Sequence, residues 1–172
     1  TGEMMDRVSK SIDIMREKGV LVVIVYSGGP AEARKATGEF RPSRTHRADG
    51  VRRCLIEGTP GAEIDERIHI DRQRDILWHK HAPSAFFQND LAERLRAFGV
   101  ENVLVCGVKT NVCCRATVND AFSHGFTTFA VSDMLATNTP ELNAFFIEDM
   151  AKYFATAVTS DEAFRLLEEG KL

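Results

Sequence analysis

Short apolar runs alternate with amphipathic helical patterns along the chain, and this alternation limits the fold more than any other sequence feature. Residues 20–25 are continuously apolar and rich in β-branched side chains, which is typical of a strand covered on both faces. The predicted helices span residues 4–18, 90–98, 113–124, 139–153 and 163–169. The predicted strands span residues 20–25, 75–78, 103–106, 127–131 and 157–158. The alternation therefore predicts βα units around a parallel sheet, an α/β fold.

The length and charge of the chain exclude several classes of partner. A chain of 172 residues is expected to form one domain with a substantial core. Its net charge is only −3, and Lys and Arg form no stripe, so neither nucleic acid nor a membrane is expected as a partner. The longest apolar run, residues 20–26, is too short to cross a bilayer. The chain has four cysteines, Cys54, Cys106, Cys113 and Cys114. Their spacing is not that of a disulfide framework, which favours a reducing, cytoplasmic location.

Residues 107–117 read G-V-K-T-N-V-C-C-R-A-T and join a predicted strand to a predicted helix. The first N–H groups of a helix have no carbonyl partner, and with the helix dipole they stabilise negative charge on a nearby thiol. They can also bind an oxyanion. Cys113 is therefore the predicted nucleophile; the alternative is a buried cysteine at a tight helix start. Cys114 points about 100° away around the helix and is predicted to be a small core residue, although the two thiols could exchange roles.

Lys80 is the second candidate for chemistry, in the stretch W-H-K-H-A-P-S-A-F-F over residues 78–87. A lysine that follows an apolar strand among aromatic side chains is partly desolvated and can stabilise a neighbouring thiolate. The alternative is a solvated surface lysine. His79 and His81 flank it, but no third ligand lies at metal-binding spacing, so no metal is expected.

The polar stretch over residues 27–58 is predicted to be a long loop, and long ordered loops often serve a site. Arg41, Arg44 and Arg47 form a loose basic group within it. They are interpreted as a solvated face. The alternative is that one of them receives a substrate carboxylate, which suits the geometry of a guanidinium.

Several separated motifs resemble the isochorismatase-like cysteine hydrolases, in particular the branch that contains N-carbamoylsarcosine amidase. Residues 107–113 are similar to the family turn G-V-x-T-(D/N/S)-x-C, and residues 80–87 resemble the segment that carries the catalytic lysine of the family. Residues 131–133, 139–141 and 149–153 agree with the amidase branch.

The resemblance implies a three-layer α-β-α fold with a six-stranded, mostly parallel sheet, assembled as a homodimer or homotetramer. It also implies an Asp, Lys and Cys triad. The family aspartate ends the first, central strand in a motif resembling D-M-Q-N-D-F, and this strand has no counterpart after Thr1. Residues 1–172 are therefore expected to be a single, N-terminally incomplete domain. Neither Asp13 nor Asp133 is a convincing substitute for the missing base.

Carried onto this sequence, the resemblance makes Cys113 the nucleophile and Lys80 its neighbour. It implies an oxyanion hole from the N–H groups of Lys109 and Cys113, after a cis peptide between Val108 and Lys109. It also implies a reaction that needs no cofactor. The residues that it implies as substrate contacts are Thr110, Phe86 and Asn138. Asn138 stands where the branch often has Arg, and Gln88-Asn89 replaces a frequent Gly-Thr.

These observations together predict a cysteine-dependent amidohydrolase that releases ammonia from a small amide, ureido or carbamoyl acid. Isochorismatases proper cleave a vinyl ether without this cysteine, so Cys113 favours C–N cleavage. One alternative is a non-catalytic family member, a binding or structural subunit that lacks the base. A redox role for Cys113 and Cys114 is another.

Overall fold

A computed structural model describes residues 2–28 and 58–172. Within them the helices are α1 (Gly2–Glu17), α2 (Leu91–Ala97), α3 (Arg115–Ser123), α4 (Pro140–Tyr153) and α5 (Ser160–Glu168). The strands are β1 (Val23–Tyr26), β2 (Ile76–His79), β3 (Asn102–Val108), β4 (Thr127–Ala136) and β5 (Thr156–Val158). A 3₁₀ turn covers Pro60–Ala62, and a π-helical turn covers Thr110–Cys114. No helix in this part of the chain is both long and apolar enough to cross a membrane.

The strands pair in parallel throughout, which confirms the predicted α/β class. In the first sheet β1 pairs with β2, with Val23 opposite Ile76. In the second sheet β4 lies between β3 and β5. Parallel pairing follows from the sequence because each strand is separated from the next by a segment long enough to cross over.

The sheet is divided, because β1 and β3 each have an edge that pairs with no other strand of residues 2–28 and 58–172. Val23 of β1 and Val103 of β3 nevertheless pack against the same hydrophobic cluster, so the two sheets share a core.

Helices cover both faces of the second sheet, as the three-layer prediction requires. Successive side chains of a strand point to opposite faces. Phe129 and Val131 of β4 accordingly pack with α1 and α5, whereas Ala130 between them packs with α3 and α4. The buried side chains that α1, α3, α4 and α5 contribute to these two clusters are those of Met4, Val8, Met15, Ala163, Val118 and Met150.

Strand β4 runs to Ala136, five residues beyond the predicted end, although its middle is polar. The hydroxyl of Ser132 donates to the Val158 carbonyl at 3.1 Å. The carboxylate of Asp133 accepts from the backbone N–H of Ser160 at 2.8 Å and from its hydroxyl at 2.7 Å. Because these partners satisfy the polar side chains, the strand continues through them.

Helix α5 begins at Ser160, three residues before the predicted start at residue 163. Thr159 is the N-cap, and its side chain and that of Glu162 form a reciprocal capping box. Ser160 lies inside the first turn and bonds Asp133 instead. At the start of α4, the Thr139 side chain accepts from the Leu142 N–H, one position before the helix-starting Pro140.

Candidate active site

The predicted site residues lie where parallel strands end, which is where sites form in open α/β sheets. Lys80 directly follows β2, and its backbone N–H donates to the Tyr26 carbonyl at the end of β1 at 3.0 Å. Val108 and Ala136, the last residues of β3 and β4, are register partners. Because the paired strands are parallel, the residues that follow them lie at one edge of each sheet.

Lys80 and Cys113 come together at this edge, although 33 residues separate them in sequence. The Lys80 Nζ lies 3.5 Å from the Cys113 Sγ and donates to the Ala82 carbonyl at 3.0 Å. Both side chains are half-buried. A cation at this distance stabilises negative charge on sulfur more strongly here than in open water.

Cys113 lies on the π-helical turn that precedes α3, whereas a regular helix was predicted from that residue. The N–H groups of Val112 and Cys114 both donate to the Lys109 carbonyl at 3.1 Å. Upstream, the register with β4 shifts between Val105 and Gly107, and Gly107 has a φ of 110°, which favours glycine. The peptide between Val108 and Lys109 is cis, as the resemblance implied.

Cys114 is a core residue, which confirms its predicted role. Its side chain is 4% exposed and packs with Val105 and Val118. Its Sγ lies 3.9 Å from the Cys106 carbonyl oxygen. Burial raises the pKa of Cys114, so this thiol stays protonated and a poor nucleophile near neutral pH. The two adjacent thiols therefore do not have equivalent environments.

The connection between β4 and α4 carries Asn138, which faces the turn that holds the nucleophile. The Asn138 Oδ1 accepts from the Lys109 Nζ at 2.5 Å. The Lys109 side chain is exposed. An ammonium and an amide, both of which can donate hydrogen bonds, thus lie together at the carboxyl edge.

Two further hydrogen bonds fasten the turn, one to the start of α4 and one to the connection that precedes it. The hydroxyl of Thr110 donates to the Asn143 Oδ1 at 2.6 Å, and the Asn143 side chain donates onward to the Leu135 carbonyl at 3.1 Å. The hydroxyl of Thr137 donates to the Asn111 Oδ1 at 2.6 Å. Thr110 is fully buried, and the substrate contact that the resemblance implied for it stays a prediction.

Phe86 lies in the core rather than beside the thiol. Its ring packs against Phe126 and His124, with centroids 5.9 and 5.5 Å away. It supports the segment that follows Lys80 from the interior, and a direct contact of this ring with substrate stays a prediction.

Sequence reasoning missed Thr137 and Asn143, because neither belongs to a motif that marks long-range hydrogen bonding.

The two carboxylates considered as substitutes for the base are occupied elsewhere. Asp13 accepts from Arg16 at 2.7 Å on α1, and Asp133 holds the start of α5. His79 lies 2.7 Å from the Gly28 carbonyl through its Nε2 and packs against His81. Among the residues that the structure describes, no group of three or more His, Cys, Asp or Glu could hold a metal ion. The basic group in the predicted long loop lies outside the described residues; it consists of Arg41, Arg44 and Arg47.

The fold is a parallel α/β fold, and a lysine and a thiol lie together beyond the ends of its strands. This arrangement makes the thiol a candidate nucleophile. The chain belongs to the isochorismatase family, since the sequence model of the Isochorismatase domain matches residues 1–162.

Known proteins agree with this placement. Nicotinamidase 3 of Arabidopsis thaliana is 36% identical over 114 residues, which are 66% of this chain and 58% of that protein. A second A. thaliana protein, named a probable inactive nicotinamidase, is 30% identical over 148 residues, or 86% of this chain and 74% of that protein. A crystal structure of a cysteine hydrolase from Pseudomonas syringae pv. phaseolicola matches with a TM-score of 0.84 and 24% identity, over 98% of this chain and 82% of that one. The first relative is thus matched over less than two thirds of its length.

Proposed function

We propose that this protein is a cysteine-dependent amidohydrolase that cleaves the C–N bond of a small amide, ureido or carbamoyl acid and releases ammonia. The observation that carries the proposal is the 3.5 Å separation of the Lys80 Nζ and the Cys113 Sγ at the carboxyl ends of the strands. A nucleophile beside a charged or proton-transferring group is the arrangement that covalent catalysis requires. The named activity of the nicotinamidase relative, hydrolysis of an amide, supports the same bond type.

The proposed reaction has two stages. The Cys113 sulfur attacks the carbonyl carbon, a C–S bond forms, and the C–N bond of the tetrahedral species breaks. Ammonia leaves with a proton that the attacking thiol gave up. Water then adds to the thioester, the C–S bond breaks, and the acid departs while the sulfur regains its proton. We assign the proton transfers to the aspartate of the triad that the resemblance implies, and the developing oxyanion to the N–H groups of Lys109 and Cys113.

Within this class we propose an N-carbamoylsarcosine amidase-like substrate, a small molecule that carries a carboxylate. The Lys109 ammonium, 2.5 Å from the Asn138 Oδ1, supplies a positive charge beside the position where the branch often has Arg. A lysine binds a carboxylate as a point charge rather than through a fork of two bonds. The substrate carboxylate is therefore bound through one strong contact instead of two.

A second candidate function is that of a non-catalytic family member. The broadly matching A. thaliana relative that is named probably inactive favours it. Asp13 and Asp133, the carboxylates considered as bases, are also engaged away from Cys113. Such a protein would bind the small molecule without turning it over.

An ammonia-release screen on the natural full-length protein tests the two candidates against each other. The panel contains small ureido acids, carbamoyl amino acids and primary amides, and binding of each compound is measured in parallel by calorimetry. Turnover of at least one compound that depends on Cys113 supports the amidohydrolase. Binding of a panel compound without any ammonia release supports the non-catalytic member.

Lys80→Met is expected to lower kcat by roughly 10²-fold or more, because it removes the charge beside the thiol while keeping a similar length. Steady-state ammonia release measures the loss. Lys152→Met is the matched control: Lys152 pairs with Glu148 on the exposed face of α4 and should leave kcat unchanged. A Lys80→Met variant with wild-type kcat would remove Lys80 from the mechanism.

A further inference from the structure

The Lys80–Cys113 contact joins two parts of the fold that share no strand pairing among the described residues. Lys80 follows the sheet of β1 and β2, whereas Cys113 follows β3 of the other sheet. A separation of 3.5 Å between two flexible polar groups is kept only if their backbones are held in register. Some contact between the two segments must therefore hold them together.

The side chain of Thr117 makes that contact. Its hydroxyl donates to the Cys113 carbonyl at 2.8 Å, and the same oxygen accepts from the Ala85 N–H at 3.1 Å. A threonine within a helix often bonds the carbonyl four residues back and does nothing else. Here the hydroxyl continues to a second segment, so it links the backbone of the nucleophile to the segment that begins at Lys80.

Ala85 is a firm point of attachment for this link. The residue is 1% exposed, and its carbonyl accepts from the Trp78 Nε1 at 3.0 Å and from the Asn89 Nδ2 at 2.8 Å. Trp78 belongs to β2, two residues before Lys80. A chain of hydrogen bonds thus runs from Cys113 through Thr117 and Ala85 back to the strand that presents Lys80.

We propose that Thr117 is a positioning residue that sets the separation of Lys80 and Cys113 through its two hydrogen bonds. Its effect on turnover rests on the proposed amidohydrolase function, but its effect on the thiol does not. Without the hydroxyl, the turn and the Lys80 segment keep only their packing, and the ammonium is no longer fixed beside the sulfur. Because the hydroxyl makes both bonds, a serine at this position should keep the positioning role of Thr117. A valine, which has nearly the same shape but no hydroxyl, should lose it.

The test compares Thr117→Val, which removes both hydrogen bonds at nearly constant volume, with Thr117→Ser, which keeps the hydroxyl. Ser123→Ala is the matched control, because the Ser123 hydroxyl bonds the Asn119 carbonyl four residues back on the same helix at 2.8 Å. Three quantities are measured: kcat and KM for ammonia release, the rate at which iodoacetamide alkylates Cys113 at neutral pH, and the thermal midpoint. Peptide mass mapping assigns the alkylation to Cys113 rather than to the other thiols.

Thr117→Val is expected to lower kcat by about 10- to 100-fold while KM changes by less than about threefold. The alkylation rate of Cys113 should fall roughly threefold or more, because the stabilising ammonium is no longer held in place. Thr117→Ser and Ser123→Ala should stay within about twofold of the wild type in both measurements. Where Thr117→Val does not fold, Thr117→Ala takes its place with the same expectations.

Wild-type kcat and alkylation in Thr117→Val would overturn the proposal, and so would a serine variant as impaired as the valine one. If the wild type hydrolyses nothing in the panel but the alkylation rates follow the expected order, the positioning role stands and the amidohydrolase function does not. If turnover is normal in every variant while the alkylation rates are equal, the function stands and the positioning role is overturned.

Discussion

Cys113→Ala is expected to reduce ammonia release by at least roughly 10³-fold, because no other group replaces a covalent nucleophile. Cys114→Ala is the matched control one residue away. The Cys114 side chain is buried among Val105 and Val118, so its loss should cost about 1 kcal/mol of unfolding free energy through the small cavity and leave kcat close to the wild type. Ammonia release at saturating substrate and denaturant unfolding measure the two effects separately.

The opposite pattern would contradict the assignment. If folded Cys113→Ala kept normal turnover while folded Cys114→Ala lost it, the nucleophile would be the buried thiol. Equal loss in both variants, together with normal unfolding curves, would favour a role for the thiol pair such as the redox alternative.

The second large effect is expected at the buried ion pair between Arg16 and Asp75. Their side chains are 7% and 0% exposed, and the guanidinium makes two bonds to the carboxylate, at 2.9 and 2.5 Å. The same guanidinium donates to the His69 carbonyl at 2.6 Å. The pair therefore joins the end of α1 to the start of β2, the strand that presents Lys80.

Asp75→Asn is expected to lower the free energy of unfolding by about 3 kcal/mol, because it leaves the buried Arg16 guanidinium with only the exposed carboxylate of Asp13 as a counter-ion. Denaturant unfolding at neutral pH measures the change. Asp65→Asn is the control: Asp65 also makes two bonds to an arginine, Arg67, but both side chains are solvent-accessible, so the loss should be much smaller. Equal losses in the two variants would mean that burial does not determine how much an ion pair contributes to the free energy of unfolding.

The same pair predicts a pH dependence of stability. Burial by itself would raise the pKa of Asp75, but the hydrogen bond and charge of Arg16 and the Asp71 N–H outweigh it and hold the pKa below its ordinary value of 3.8. The charge of Arg74 acts in the same direction. A carboxyl with a lowered folded pKa contributes stability above its unfolded pKa, and this contribution is lost as the pH falls through the folded pKa.

The wild type should therefore lose unfolding free energy below about pH 4 more steeply than Asp75→Asn, which has no proton to gain at this position. Urea unfolding midpoints at a series of acidic pH values measure the two slopes. Parallel slopes would contradict a lowered pKa at Asp75.

The fold was predictable from the sequence because its signals are local. Continuous apolar strands and amphipathic helices separated by stop residues predict each of the five strands where the structure has one, and only the end of β4 differs by as much as five residues. The N-cap of α5 is also encoded locally, since Thr159 and Glu162 stand at the spacing of a capping box, although the predicted helix begins only at residue 163. The length of β4 was not readable, because partners distant in sequence satisfy Ser132 and Asp133.

The meeting of Lys80 and Cys113 followed from a single rule, that parallel strands bring their carboxyl ends to one edge. The supporting contacts did not follow from it. Thr117, Thr137 and Asn143 act through hydrogen bonds to residues 26 to 33 positions away, which no local pattern encodes. The π-helical form of the nucleophile turn likewise depends on bonds to the Lys109 carbonyl that only the folded backbone sets.

The most direct test of the central claim is a titration of the natural full-length protein with iodoacetamide, in which residual ammonia release and the modified fraction of each cysteine are measured in the same samples. The account predicts that activity falls in proportion to modification of Cys113, reaches background when that thiol is fully alkylated, and is protected by substrate. Full alkylation of Cys113 with activity retained would contradict the claim that this thiol attacks the substrate.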